Sequence, residues 1–469
     1  MATSVDMAPR SHAPAWERTR GRSASTLACT QSEAERRDFH AWLWGVALVA
    51  AILTGAAFRL VFVDDIEYKG DERWTYYHAK DIASGHSFPM LGMPSSAGIR
   101  NPGMSIWVFA ALAKIYPPGD ARDLARAVQI LNIAAIVLLL VFVWRVVPRE
   151  EREPWLWAAA LVSLNPLAVL FHRKIWPPCV LPLFSLLFLT AWWHRGRQVW
   201  AFVWGLVGAC LGQIHMAGFF FTAAFAGWAF LFDRRGVAWR GWFLGTCLGA
   251  APLIPWLSYV ANGKGPQEIE ATDWQHLPDG KYWMRWATEP FGVSVEYTLG
   301  DDFQDYLGWP IVYGQPTYLV AVLHVMMAGI GAVLLARALR WLWANRAKAF
   351  ELWTGKSSAT AFTQGAALWG LGILLTASTV PVTRHYLIIL FPLTFVWVAR
   401  LALVPCGERV SAIKFARGAL LTLCVVQALI TASFLGYVHA NQRMIHGEYW
   451  IPFAAQVGVP DPWQNADAN

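Results

Sequence analysis

The feature that most constrains this sequence is a series of apolar runs, each close to the length that crosses a lipid bilayer. A membrane-spanning helix requires about 20 apolar residues in succession. Hydrophobic residues make up 56% of the 469 residues and charged residues only 15%. An average soluble domain has roughly 25% charged residues. The composition therefore argues against a soluble globule, a disordered chain and a nucleic-acid-binding domain, and it predicts an all-α polytopic membrane bundle.

Eleven membrane spans are predicted from these runs, with a shorter amphipathic helix at 103–116. The predicted spans are 41–63, 124–147, 155–171, 176–193, 199–214, 217–232, 241–261, 316–340, 362–380, 385–404 and 415–437. The interiors of the spans contain no Asp, Glu, Lys or Arg, because the charged residues within these bounds all lie within four residues of a span end; they are Arg59, Arg126, Arg145, Arg337, Arg340, Arg400 and Arg417. Ion-coupled transporters usually place ionisable residues at mid-bilayer, so this pattern disfavours a transporter.

The distribution of charge predicts the orientation. If the N-terminus lies inside, the inner segments hold 23 of the 38 Lys and Arg residues and have a net charge of +12, whereas the outer segments have −5. Inner loops rich in Lys and Arg obey the positive-inside rule. The sequence thus predicts a disordered cytoplasmic tail without a signal peptide at 1–40, a transmembrane domain at 41–438 and an outer C-terminal tail at 439–469.

Two large outer loops are expected, at 64–122 and 262–315, and their position on one face indicates where the chemistry occurs. In the first loop, Gly70-Asp71-Glu72 follows the first span and begins an aromatic amphipathic stretch. A carboxylate at the membrane surface could act as the general base for a polar acceptor. Asp71 and Glu72 are therefore candidate catalytic residues; the alternative is a solvated acidic helix face.

This order of elements resembles the family-39 type glycosyltransferases of the GT-C superfamily, which include aminoarabinose transferases and protein O-mannosyltransferases. The resemblance rests on Gly70-Asp71-Glu72, on Gly85-His86-Ser87-Phe88-Pro89, on the segment 89–96 and on the short amphipathic helix that follows. It covers roughly residues 41–405. It implies about eleven to thirteen spans and a polyprenyl-phosphate sugar donor.

One segment departs from the family pattern. The family usually has a Lys-Pro or Pro-Pro pair before the second juxtamembrane helix, often preceded by an acid, whereas this sequence has Arg100-Asn101-Pro102-Gly103. This sequence therefore gives no support for the metal-binding or acceptor-binding role of that family acid. Arg100 and Lys80 are candidates for basic contacts to the substrate.

Two short outer turns carry basic residues, His172-Arg173-Lys174 and Arg384-His385-Tyr386. A guanidinium group binds phosphate through two parallel hydrogen bonds. We predict that Arg173, Lys174, Arg384, His385 and Tyr386 bind the donor, and the segment at Arg384 also resembles the corresponding family segment. The alternative is simple snorkelling of these side chains to lipid headgroups.

The second outer loop is acidic and aromatic, a combination that suits sugar recognition or an interfacial cover. Its residues of this kind are Glu268, Glu270, Asp273, Trp274, Trp283, Trp286, Glu289, Asp301, Asp302, Asp305 and Trp309. The adjacent carboxylates of Asp301 and Asp302 could help to bind a divalent metal as a cofactor, although no residue is assigned as a metal ligand. The six Cys have no paired spacing, which disfavours a disulfide framework or a zinc site.

The sequence therefore predicts an integral membrane glycosyltransferase, in a bacterial-type inner membrane, with an outward-facing active site. It would move a hexosyl or pentosyl group from a polyprenyl-phosphate donor to a lipid, glycan or protein acceptor, with inversion. Asp71 would be the base, Glu72 would orient or replace it, and Arg384, Arg173 and Lys174 would stabilise the leaving phosphate. The alternatives are a lipid-linked glycan flippase or transporter, and a lipid-linked glycan polymerase or ligase.

Overall fold

A computed structural model defines most of the chain. The described residues are 45–94, 99–262, 280–378, 382–407, 409–441, 445–449 and 452–456. By its internal contacts the chain divides into two units, Met1–Ala50 and Ala51–Asn469. Within the first unit the described residues are 45–50, which are helical; the predicted tail at 1–40 lies outside the described residues. The site discussed below lies in the second unit.

The described chain is mostly helical, which confirms the all-α prediction. The helices are α1 Gly45–Leu60, α2 Gly70–Ser84, α3 Met104–Ile115, α4 Ala121–Arg145, α5 Arg152–Leu164, α6 Pro166–Phe171, α7 Leu181–Trp193, α8 Gln198–Ile214, α9 Ala217–Phe232, α10 Trp239–Ala250, α11 Ile254–Ala261, α12 Lys281–Thr288, α13 Val295–Leu299, α14 Phe303–Leu307, α15 Leu319–Ala344, α16 Ala349–Thr354, α17 Ala359–Gly365, α18 Gly372–Ala377, α19 Leu393–Leu403 and α20 Val410–Asn441. Each of the eleven predicted spans overlaps one or two of these helices.

Several helical segments are long and apolar enough to cross a bilayer alone. Among the described residues these are Ala121–Arg145, Trp239–Ala261, Leu319–Ala344, Ala359–Ala377 and Val410–Asn441. A sixth candidate is the pair Arg384–Leu390 and Leu393–Cys406, which is bent by 76°. Further apolar helices, including α1, α8 and α9, are shorter. These helices make the chain an integral membrane protein, while the number of spans stays a prediction.

The sequence did not predict strands, and the described residues contain two short antiparallel pairs in the loops. Strand β1 (Leu91–Pro94) pairs with β2 (Arg100–Pro102), and β3 (Ile311–Val312) pairs with β4 (Gln315–Pro316). The second pair is closed by Tyr313-Gly314, both with positive φ. Two such residues form the tight turn that matches the twist of a hairpin.

A helix break within the predicted span 155–171 explains the buried position of Arg59. Pro166 has no backbone N–H, so the Val162 carbonyl, four residues earlier, loses its helical partner. The Arg59 guanidinium donates to Val162 O at 3.0 Å and to Ser163 O at 2.8 Å. The arginine thus satisfies carbonyl groups that the broken helix leaves free.

The described parts of both large loops and of the C-terminal segment meet at one end of the bundle, which we call the loop face (residues 61–94, 99–120, 280–318, 445–449 and 452–456). The backbone N–H of Phe453 donates to Ile66 O at 3.0 Å, and the Tyr449 hydroxyl donates to Asp65 O. The backbone N–H of His446 donates to the Asp302 carboxylate at 2.9 Å. Residues far apart in sequence therefore build a common surface at this face.

Candidate active site

A cavity of about 410 Å³ opens at the loop face, and we call it the loop-face cavity. It is lined by Lys69, Gly70, Asp71, Glu72, Leu167, Leu170, Phe171, Lys174, Trp176, Arg285, Tyr297, Thr298, Thr383, Arg384, His385 and Glu448. The structure thus brings together five of the predicted site residues. These five are Asp71, Glu72, Lys174, Arg384 and His385.

The N-terminus of α2 positions the two adjacent carboxylates differently. Glu72 turns back to the start of the helix, where its Oε2 accepts from the Lys69 backbone N–H at 3.2 Å. This contact satisfies an N–H that the helix itself cannot pair. Glu72 is only 1% exposed, whereas Asp71 is half-buried and accepts a hydrogen bond from the Trp176 side chain. The two neighbours therefore have different environments at the same cavity.

These environments separate the acid–base properties of the pair. Burial raises the pKa of Glu72 to about 8, and the nearby Glu67 carboxylate acts in the same direction. Burial also raises the pKa of Asp71, but Lys69, the Trp176 hydrogen bond and Lys174 oppose that rise. Near neutral pH Glu72 accordingly retains its proton for most of the time. Asp71 is the better candidate for a carboxylate that accepts a proton.

Glu67 is a functional candidate that the sequence analysis missed. Its side chain is 2% exposed, and its Oε1 lies 2.9 Å from Lys69 Nζ while its Oε2 forms an ion pair with Lys174. Lys69 Nζ also lies 3.2 Å from Glu448 Oε2. A buried carboxylate is stabilised by such paired cations. The sequence feature that could have identified Glu67 is its position in the acidic stretch between the first span and Gly70.

The basic turn at 172–174 directs its side chains to three different places. Arg173 is 3% exposed and donates to Phe58 O and Phe62 O, both at 2.7 Å, at the end of α1. His172 Nδ1 lies 3.1 Å from Arg59 Nε. Only Lys174 lines the loop-face cavity. Arg173, which we predicted to bind the donor, instead pairs with backbone carbonyls at a helix C-terminus.

Arg384 is held by groups from the second loop. Its guanidinium lies over the Tyr297 ring at 4.3 Å, donates to Ser294 O, and places Nε 3.5 Å from Glu289 Oε1. Burial raises the pKa of Glu289, and Arg384 and Arg285 oppose that rise. The stacking and the ion pair restrain the guanidinium beside the cavity, as recognition of a phosphate group requires.

The other predicted binding residues lie elsewhere. His385 lines the cavity and contacts the Trp176 ring edge-on at 4.7 Å, but Tyr386 packs 5.3 Å from His215, outside the lining. Arg100 in β2 and Lys80 near the end of α2 are both exposed and do not line the cavity. The structure therefore does not bring Tyr386, Arg100 and Lys80 to the carboxylates.

The second loop contributes different residues from those expected. Glu268, Glu270, Asp273 and Trp274 lie outside the described residues. Trp286 is buried, and Asp302 binds His446 of the C-terminal segment. The residues of the second loop that line the cavity are instead Arg285, Tyr297 and Thr298, which belong to no recognisable local sequence motif. Among the residues that the structure describes, no group of three or more His, Cys, Asp or Glu side chains is placed to hold a metal ion.

Comparison with known proteins gives a distant structural likeness. No family model matches the chain, and no curated protein matches it. The crystal structure of ArnT from Cupriavidus metallidurans bound to undecaprenyl phosphate is similar, with 14% sequence identity and a TM-score of 0.40. The match covers 88% of this chain and 84% of that chain.

Proposed function

We propose that the chain is an integral membrane glycosyltransferase that moves a sugar from a polyprenyl-phosphate donor to a polar acceptor. One observation carries the proposal: Asp71 lines the same cavity as Lys174, Arg285 and Arg384. A proton acceptor and several cations around one space suit a reaction in which an acceptor loses a proton and a phosphate gains charge. The sugar could be a hexose or a pentose, and the acceptor a lipid, glycan or protein.

In the proposed step, Asp71 accepts the proton of the acceptor hydroxyl or amine while that atom attacks the anomeric carbon. The bond between the anomeric carbon and the phosphate oxygen breaks, and its electron pair leaves with the lipid phosphate. A single displacement of this kind inverts the anomeric centre. Glu72, buried and protonated near neutral pH, holds the first turn of α2 and orients its neighbour.

Lys174 and Arg384 are the proposed partners of the departing phosphate. Preformed positive charges stabilise a transition state most where new negative charge develops. Glu67 keeps Lys174 in place through their ion pair, and Tyr297 keeps Arg384 in place by stacking. Arg173 has no part in this proposal, because its guanidinium donates to the carbonyls of α1.

The loop face is proposed to be the outer, extracytoplasmic face of a bacterial-type plasma membrane. The charge bias of the loops supports this orientation. Single cysteines at the exposed positions Asp301 and Arg234, in a background without the native cysteines, test it by labelling intact cells with an impermeant maleimide. Labelling is expected at position 301 and not at 234. Equal labelling of the two positions would contradict the orientation.

Transfer in detergent solution tests the activity itself. Purified protein is incubated with a short-chain polyprenyl-phosphate sugar and acceptors from the same membranes, and mass spectrometry detects glycosylated product. A flippase gives no glycosylated product there, because it moves a lipid-linked glycan across a membrane without forming a new glycosidic bond. Glycans and lipids of membranes with and without the gene then identify the sugar. Unchanged glycans and lipids, together with no transfer in detergent, would refute the proposal.

A further inference from the structure

A second cavity, of about 530 Å³, lies at the other end of the bundle. We call it the opposite-face cavity; it is bounded by the last turns of α15, by α16, α17 and α19, and it includes Arg346 and Arg400. Helix α15 begins next to the β3–β4 hairpin of the loop face. A helix of 26 residues is about 39 Å long. The opposite-face cavity is lined by the last turns of this helix, so it lies at the other end of α15 from the hairpin.

The charges of the opposite-face cavity have one sign. Arg346 and Arg400 line it, and none of its lining residues is Asp or Glu. Arg400 is half-buried in α19, and its guanidinium makes no hydrogen bond or ion pair with any residue that the structure describes. Glu151 attracts it electrostatically, but the Glu151 Oε2 already accepts from the Thr360 backbone N–H at 2.9 Å. A cation in this setting favours an anionic partner.

Aromatic and aliphatic side chains form the rest of the wall. Five tryptophans line the cavity, and Trp343 is 72% exposed, which places apolar surface at its opening. Arg346 donates to Trp343 O at 3.2 Å and stacks on that ring at 5.2 Å. Indole rings favour the membrane–water interface, where a lipid has its phosphate and glycerol groups. Cationic and apolar surfaces are thus adjacent, as they are in a lipid molecule.

We infer that the opposite-face cavity binds an anionic phospholipid, whose phosphate contacts Arg346 and Arg400. The acyl chains lie along the tryptophan and leucine side chains that open to the bilayer. Basic pockets between membrane helices on the cytoplasmic side bind lipid headgroups by this chemistry. A free phosphate would use the arginines alone and leave the apolar wall uncovered. This site is independent of the proposed glycosyl transfer.

Native mass spectrometry of the full-length protein tests the inference. Phosphatidylglycerol and phosphatidylcholine of equal chain length are added to the detergent-purified protein, and the retained lipid is counted. Phosphatidylglycerol is expected to be retained preferentially. Arg400→Ala and Arg346→Ala should each weaken that retention about tenfold, because each removes one charge-assisted contact to the phosphate.

Arg340→Ala is the matched control, since it removes an equal charge from an exposed position of α15 outside the cavity. It should retain phosphatidylglycerol as the unaltered protein does, and glycerol phosphate should not displace the lipid. Equal retention in the Arg400→Ala and Arg340→Ala proteins, or displacement by glycerol phosphate at equal concentration, would overturn the inference. If Arg400→Ala does not purify as a folded protein, Arg400→Gln replaces it in the comparison.

Discussion

The loop-face and opposite-face cavities differ more in charge than in size. The first, about 410 Å³, is lined by Asp71, Glu72 and Glu448 together with Lys69, Lys174, Arg285 and Arg384. The second is larger, about 530 Å³, and its charged lining residues are the two arginines alone. The loop-face cavity therefore offers a proton acceptor as well as cations, whereas the opposite-face cavity offers cations without a carboxylate beside them. The charged lining residues, and not the volumes, therefore distinguish the proposed reactive cavity from the proposed lipid-binding cavity.

The contacts within the two cavities differ in the same way. At the loop-face cavity, two of the lining lysines pair with Glu67 behind them, and Arg384 is stacked, hydrogen-bonded and paired. In the opposite-face cavity Arg400 has neither a hydrogen bond nor an ion pair among the described residues. Restrained groups suit catalysis because the entropy cost of orienting them is met on folding and does not add to the activation barrier. The guanidinium of Arg400 therefore keeps hydrogen-bond donors available for an anionic ligand.

The largest effect is expected from Asp71→Asn, which removes the proton acceptor at nearly constant volume. Turnover should fall about 100-fold or more, while donor binding and phosphatidylglycerol retention persist. Initial rates with a polyprenyl-phosphate sugar measure the first effect, and native mass spectrometry the second. Near-normal turnover in a folded Asp71→Asn protein would remove the distinction between a reactive and a binding cavity.

Substitution of Arg384 should have the next largest effect. Arg384→Ala should lower turnover about tenfold to 100-fold, because a cation is lost where the phosphate gains charge. Arg384→Lys should be impaired less, since it keeps the charge but not the planar two-point contact. The loss should appear in kcat rather than in donor affinity. Unaltered kcat in both variants would mean that Arg384 only contacts the second loop.

Lys174 and Arg173 are adjacent in sequence and should respond differently. Lys174→Ala is expected to lower turnover about tenfold, because it removes a cation from the cavity. Arg173→Ala should lower the free energy of unfolding by about 2 kcal/mol and leave the turnover of the folded protein unaltered, since its partners are carbonyls of α1. Thermal melting and initial rates on both proteins separate the two roles. The assignment fails if Arg173→Ala is stable but inactive.

The smallest effect concerns the pH dependence of stability. Burial raises the pKa of Glu72 from its usual value of 4.5 to about 8, so the folded state binds more protons than the unfolded chain between these pH values. Its stability should therefore decline as pH rises from about 5 to about 8. Glu72→Gln cannot ionise and should show a weaker decline in melting temperature over that range. Parallel melting curves for the two proteins would show that Glu72 does not remain protonated.

Local patterns predicted the helices and part of the site. Apolar runs located each bundle helix, because burial in lipid requires a continuous apolar segment with internally paired backbone groups. Asp71, Glu72, Lys174 and Arg384 were found because charges directly beside a span are conspicuous. Arg100 and Lys80 were selected as basic residues of the first loop, and Tyr386 as part of the Arg384-His385-Tyr386 turn, but the structure places all three outside the cavity lining. A charge beside a span does not reveal the direction of its side chain.

By itself, the sequence determined that this chain is a helical membrane protein with two large loops, since composition and periodicity act over a single helix. Only the tertiary structure decided which charges share a cavity. Lys69 and Glu448 are 379 residues apart in sequence, yet their side chains lie 3.2 Å from each other. Arg173 and Lys174 are neighbours, yet one holds α1 and the other faces Glu67. Side-chain partners depend on how helices pack and where their backbones leave carbonyls free, and neither property is local in sequence.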